Sequence, residues 1–457
     1  MKKNRYLYSA LVATGLFLAT GCASKLDVSP TQTIDEKTAL ATSRDVEVTL
    51  IGCYDGLQDV DVYGGAFQYV GDLYGNDNDV RFGGTFQNLL EIADKQLTTG
   101  NATATATWRD TYVAINRANN VLSALDKVDE NKRSRFEGEA KFIRGALYFE
   151  LVRMYAKTWG DGDNATNAGV PLILTPTRGI TDADYKARNS VAEVYTQVIA
   201  DLTSAASLLP ASNTIYATKG AANAILSRVY LQQGNYAAAR DAANAVITSN
   251  ANTLAPDFGS LFYTYLDNGG SSPAEYIFSM VVTPQDGTND MNTYYGVTVG
   301  SIPGTSGRGD IRILQSHIDS YEPGDARGAF FLRANNNNYT QKHLDTFGNV
   351  PVVRLAEMYL TRAEANFRLG TTTGATPLAD VNRIRNRSGL ASLATVSLAQ
   401  ILKERKLELA FEGVQVHDLK RLKATIGGVA YNSPRLVFPI PQREVDTNKK
   451  LVQNTGY

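Results

Sequence analysis

Residues 217–249, ATKGAANAILSRVYLQQGNYAAARDAANAVITS, constrain the fold more than any other stretch. Ala222, Ile225, Leu226, Val229 and Tyr230 recur at three- and four-residue spacing, which predicts one apolar stripe on a helix. Gly234-Asn235 breaks the period as a tight turn does. A second stripe follows in Tyr236, Ala239, Ala243, Val246 and Ile247. Tyr230, Gly234, Tyr236 and Ala239 fall where a tetratricopeptide hairpin places its aromatic, turn and small residues. One hairpin cannot bury its own face, so further helix pairs must stack against it. An isolated helical hairpin inside an ordinary helical domain is the alternative.

A chain of 457 residues can bury a large core. With 43% hydrophobic and 20% charged residues it matches neither a disordered chain nor a basic nucleic-acid binder. Residues 1–21 read as a leader: Lys2, Lys3 and Arg5, an apolar run from Leu7 to Ala19, then small Thr20-Gly21 before Cys22. Without those three cations the formal charge falls from −1 to −4. LATGC resembles a bacterial lipoprotein signal, in which Cys22 is acylated and becomes the mature N-terminus. A plain secretory signal is the alternative. Residues 22–38 then form a lipidated polar leash. No second apolar run is long enough to cross a bilayer. Cys53, among apolar neighbours, is expected to be a buried inert thiol with no disulfide partner.

Residues 39–457 read as one domain: a helical part to about 253, a loop-rich part over about 254–350, and a second helical part over about 351–457. Helical periods run from Ala39 to Leu57, Trp108 to Leu125, Ser134 to Tyr155, Ser190 to Leu208, Val352 to Leu369, Pro377 to Arg387 and Leu398 to Phe411. Ser190 with Glu193 forms a capping box. Residues 59–86 mix Gly, Asp, Asn and aromatics without a period and read as loop. Residues 276–282 are β-like. The proline-marked tail from Val437 is read as non-helical.

Chemistry-bearing motifs are sparse. His317, His343 and His417 lack metal-ligand spacing. Asp77 and Asp79 do not have EF-hand spacing, so calcium is unsupported and no cofactor is expected. There is no GxSxG, and SIPGTSGRGD lacks the ending of a phosphate loop. Glu404, Glu408 and Glu412 share a helix face and are read as an inter-helix charge network rather than a glycosidase pair. What remains is a mixture suited to sugars, which present apolar C–H faces and many hydroxyls. Asp72, Tyr74, Asn76, Asp77 and Arg81 supply rings, amides, carboxylates and a guanidinium in one stretch. Trp159, Tyr294 and Tyr295 supply further rings. Ordinary loop packing is the alternative for each of them. Trp108, on a helical stripe, is expected in the core.

Taken together, CASKLDVSP, WRDTYVAINRANNVL, EAKFIRGALYFELVRMY, the hairpin above, VPVVRLAEMYLTRAEANFRLG, ERKLELAFEGVQVHDLKRL and FPIPQREVDTNKKLVQNTGY resemble the SusD/RagB family along essentially the whole chain. The resemblance implies a mainly α body of about four tetratricopeptide-like hairpins in a single SusD-like domain, with a large, mixed, loop-rich ligand-facing region. It implies a lipid-anchored protein on the exterior of a Bacteroidetes-type outer membrane. That protein is non-catalytic and captures oligosaccharides for a TonB-dependent, SusC-like barrel transporter. A RagB-like peptide receptor and, from another class, a secreted hydrolase are the competing readings. No nucleic-acid partner is implied. Two stretches depart from the family pattern, KTWGDGDNATNAGVPL and VQVH at 414–417.

Overall fold

The computed structural model describes residues 40–457 apart from Ser301 and Pro303; the leader, Cys22 and the leash lie outside the described residues. In chain order come α1 (Ser43–Gln58), α2 (Ala66–Tyr74), β1 (Val80–Phe82), α3 (Gln87–Ala93), α4 (Ala102–Ser123) and α5 (Glu130–Tyr155). After a long loop follow α6 (Val191–Leu208), α7 (Lys219–Gln233) and α8 (Tyr236–Thr248). The mixed region holds α9 (Thr264–Asn268), β2 (Tyr276–Met280), α10 (Asp290–Tyr295), β3 (Ile311–Ile313) and α11 (Gln315–Ile318), then β4 (Phe331–Ala334) and β5 (Asn337–Thr340). The chain closes with β6 (Val350–Arg354), α12 (Leu355–Leu369), α13 (Pro377–Arg387), α14 (Leu398–Glu408), α15 (Gln415–Arg421) and α16 (Gln442–Thr447).

The helices stack in series, α1 on α4, α4 on α5, α5 on α6, α6 on α7, α7 on α8 and α8 on α12, with α13 and α14 packed on α12. The turn between α7 and α8 forms as its residues require. Gly234 takes φ +71°, and the Asn235 side chain accepts from the Ala238 N–H to cap α8. Ser190 and Glu193 make the capping box at the start of α6. Buried arginines latch neighbouring helices together. Arg144 of α5 grips Asp201 of α6 with two bonds of 2.8 Å. Arg228 of α7 grips Glu357 of α12 at 2.8 and 2.6 Å, and Arg362 of α12 grips Asp380 of α13 at 2.9 and 2.6 Å.

Three local expectations need correction. The 59–86 stretch contains α2, all nine residues of which are buried. Ala66, Phe67, Val70, Leu73 and Tyr74 do recur at helical spacing, but the run is only nine residues long, and Gly64-Gly65, Gly71 and Gly75 in and around it read as loop. Residues 350–354 form β6 rather than the start of α12, because this β-branched run pairs antiparallel with β2. The tail holds α16; Pro441 sits at its N-cap, outside the hydrogen-bonded interior where proline would break a helix.

The mixed region builds two small antiparallel sheets, one in the order β1-β3-β5-β4 and one of β2 with β6. The first carries β1, from the N-terminal part, across to strands from beyond residue 300. This pairing places 80–86 beside 290–312, and the candidate site lies there.

Candidate functional site

Two short helices bring two tyrosines together. Tyr69 of α2 and Tyr294 of α10 lie with ring centroids 4.5 Å apart, tilted by 48°. Phe86, just before α3, stands edge-on to Tyr294 at 6.3 Å and is 41% exposed. The Arg308 guanidinium covers the Phe86 ring at 4.5 Å, and its Nε donates to Asp310 Oδ2 at 2.7 Å. A ring flanked by a planar cation suits a ligand with apolar C–H faces and polar edges. Burial, reinforced by Asp290, pushes the Tyr294 phenol up to about 12, so it stays a neutral donor at ordinary pH.

Acidic groups lie close to the two tyrosines. Burial, then the charge of Asp61, raises the Asp290 carboxyl to about 7. Asp61 rises to about 6 through burial and its neighbours Asp59 and Asp110. Among the described residues, Asp59, Asp61 and Asp110 each bring a carboxylate oxygen within 4.8 Å of the others. Three oxygens fall short of a calcium shell of six to eight ligands, and Arg109 already neutralises Asp110 at 2.6 Å.

The candidates read from the sequence divide into two groups. Arg81 is exposed on β1, and Tyr294 is half-buried in the platform. Asp72, Tyr74 and Tyr295 are core residues and are corrected accordingly. Asp72 accepts from the Tyr295 hydroxyl at 2.8 Å and from the Gly413 N–H at 2.9 Å, and burial pushes its carboxyl up to about 7. The Tyr74 hydroxyl donates to the Arg435 carbonyl at 2.8 Å, with its ring against Phe438. Tyr295 packs between His343 and Phe411. Asp72 and Tyr74 are buried because α2 is a buried helix rather than a loop, and Tyr295 is buried at the end of α10. Asn76 turns the chain into β1, its side chain accepting from the N–H groups of Asp79 and Val80, and Asp77 accepts from the Gly427 N–H. Burial opposes ionisation of Asp79, but the bond from His317 and the charge of Lys406 outweigh it and hold the group down at about 2. Trp159 stacks on Tyr195 of α6, not on this platform.

Sequence reading missed Tyr69, Phe86, Arg308 and the acidic group at 59–61 and 110. The glycine pair before Phe86 was its visible signal; Arg308 comes near Phe86 through the β1–β3 pairing, and Tyr69 meets Tyr294 through the packing of α2 on α10. A cleft of about 690 Å³ opens elsewhere, between α4, the 171–186 segment and α16. Val113, Ile180 and Leu451 give it apolar walls, with Arg109 at its edge beside Asp110.

A stack of helical hairpins carrying rings and guanidinium groups on a strand-and-loop face defines a binding protein on a helical-repeat scaffold. Comparison with known proteins makes this specific. A family model described as starch-binding and associating with the outer membrane matches residues 26–231, and a SusD family model matches residues 326–436. The chain is 25% identical to SusD-like protein P2 of Formosa agariphila over the full length of both. It is 32% identical to the starch-binding protein SusD of Bacteroides thetaiotaomicron over 124 residues, 24% of this chain and 22% of that one. A solved SusD superfamily protein of Bacteroides thetaiotaomicron superposes with TM-score 0.78 at 25% identity, covering 90% of this chain and 99% of that one. A laminarin-binding SusD-like protein superposes with TM-score 0.75 at 26% identity, covering 91% of this chain and 100% of that one. The chain belongs to the SusD/RagB family. No described helix is long and apolar enough to cross a membrane.

Proposed function

We propose that this protein is a non-catalytic, lipid-anchored surface receptor that captures oligosaccharides and hands them to a TonB-dependent barrel transporter. The observation that carries the proposal is the Phe86–Tyr294 ring pair, backed by the buried Tyr69, with Arg308 folded over Phe86. Family membership and the laminarin-binding neighbour support a sugar as the cargo. The rings supply apolar area that is already held in place, so little freedom is lost on binding and the polar groups at the edge orient the sugar. Such contacts give reversible capture, which suits a protein that must release its cargo onward.

Isothermal titration against starch, laminarin and acidic oligosaccharides tests the proposal. Tyr294→Ala and Phe86→Ala are each expected to weaken sugar binding roughly tenfold or more, with thermal unfolding nearly unchanged. Full affinity in both variants would defeat the platform as the site. The apolar-walled cleft beside α4 favours a second reading, a peptide receptor of the same build. Binding of peptides alone would establish that reading in place of the first. Product release from any of the sugars would return the hydrolase reading.

A further inference from the structure

Arg81 and Arg312 lie directly opposite each other in the antiparallel β1–β3 ladder. The flanking pairs, Val80 with Ile313 and Phe82 with Ile311, are buried, so both arginines project from the other, outward face of the ladder. Like charges directly across a strand pair repel and destabilise the sheet. Nothing nearby relieves this pair. Among the described residues neither guanidinium has a carboxylate within 4.0 Å, and their hydrogen bonds are long: Arg81 to Asn337 Oδ1 at 3.4 Å, and Arg312 to the Gly83 carbonyl at 3.4 Å. The Arg312 Nε is shut off from solvent and meets no acceptor in the protein. Elsewhere the chain treats buried guanidinium groups differently: Arg144, Arg228 and Arg362 each hold a carboxylate through two bonds. Arg81 and Arg312 lie on the ladder that leads into Phe86 and Arg308.

Resting on the glycan reading of this site, we infer that its cargo is negatively charged, with a uronate carboxylate or a sulfate ester held between Arg81 and Arg312 while a sugar ring lies on Phe86 and Tyr294. The planar guanidinium fork matches both oxyanions and binds them through paired donors. An anion between the two side chains also removes the repulsion that the free protein carries. Neutral sugars gain nothing from this pair.

Native-gel affinity electrophoresis and titration of the full mature chain test the inference with four polymers. Polygalacturonate carries only carboxylates, carrageenan only sulfates, and laminarin and starch are neutral. Retention is expected on one of the charged polymers, and which one tells carboxylate from sulfate. Raising salt from about 0.05 to about 0.5 M should weaken that binding strongly. Arg81→Ala and Arg312→Ala should each reduce it roughly tenfold or more without lowering the melting temperature, since each also removes the cross-strand repulsion. Binding of laminarin or starch that ignores both salt and Arg81→Ala would overturn the charge assignment while leaving glycan capture intact. Charged-polymer binding that survives both arginine variants would overturn it as well. Failure to bind any of the four counts against the glycan reading itself, and the inference falls with it.

Discussion

Asp72 shows how one carboxylate can look like a ligand group in a sequence and serve as a joint in the fold. It ties α2 to the loop after α14 through the Gly413 N–H and to α10 through Tyr295. Gly413 has φ +74°, and a Cβ there would come within 2.5 Å of the Gln68 Cα, so only glycine lets that N–H approach. The Asp72 carboxyl holds its proton up to about 7 in the folded protein because burial disfavours the charge, whereas an unfolded chain releases it near pH 4. Between about pH 4 and about pH 7 the native state therefore binds the extra proton, and its stability falls as pH rises through that window. Asp72→Asn should abolish this share of the fall. Urea unfolding of both proteins across the window should show wild type losing stability relative to the variant, then a constant gap above pH 7. A gap that does not change with pH would refute the assignment. Sequence reading named Tyr294 and Arg81, of which Arg81 is exposed and Tyr294 half-buried. It could not separate them from Asp72, Tyr74 and Tyr295, because burial depends on what packs above a residue, which local spacing does not encode.

Among elements, α14 and β6 carry the largest electrostatic stake. Glu404 and Glu408 of α14 form a charge network with Glu412, which lies beyond the helix end and past a left-handed Phe411 rather than on the shared helix face expected from the spacing. Their main partners, however, come from far along the chain. Arg327 reaches Glu404 and Glu408, Lys342 reaches Glu412 at 2.6 Å, and Arg385 and Arg387 of α13 complete the set. Arg354, fully buried at the end of β6, bridges Glu275 at 2.7 Å, Glu408 at 3.1 Å and Glu412 at 2.8 Å. Arg354→Met keeps much of the bulk but strips the charge from three buried carboxylates. A loss of about 3–5 kcal/mol is expected, because removing one partner of a buried pair leaves the others uncompensated. Chemical denaturation checks this, and a loss under about 1 kcal/mol would show that Arg327, Arg387 and Lys342 suffice. Helices α7 and α8, long and separated by a Gly-Asn turn, were legible from spacing. Helix α2 was not, since it is only nine residues long and glycines flank and interrupt it.

Across the whole molecule, the stacked helices form a rigid frame and the strand-bearing region between α8 and α12 closes over one side of it. The tether is argued from residues before the described part of the chain. If Cys22 is the acylated residue, Cys22→Ser should move the protein from the membrane fraction to the soluble fraction, while wild type stays with the membrane. Wild-type protein recovered mainly in solution would remove the anchor from the proposal. The sequence by itself determined the repeating helical hairpins, their turns and caps, and the absence of a long membrane-crossing helix among the described residues. These depend on interactions a few residues apart, and such interactions leave a period that can be read. Only the tertiary structure decided which aromatic rings reach solvent and which arginines go unpaired. Those outcomes depend on β1 crossing more than two hundred residues of chain to lie beside β3, and no local pattern records a partner that distant.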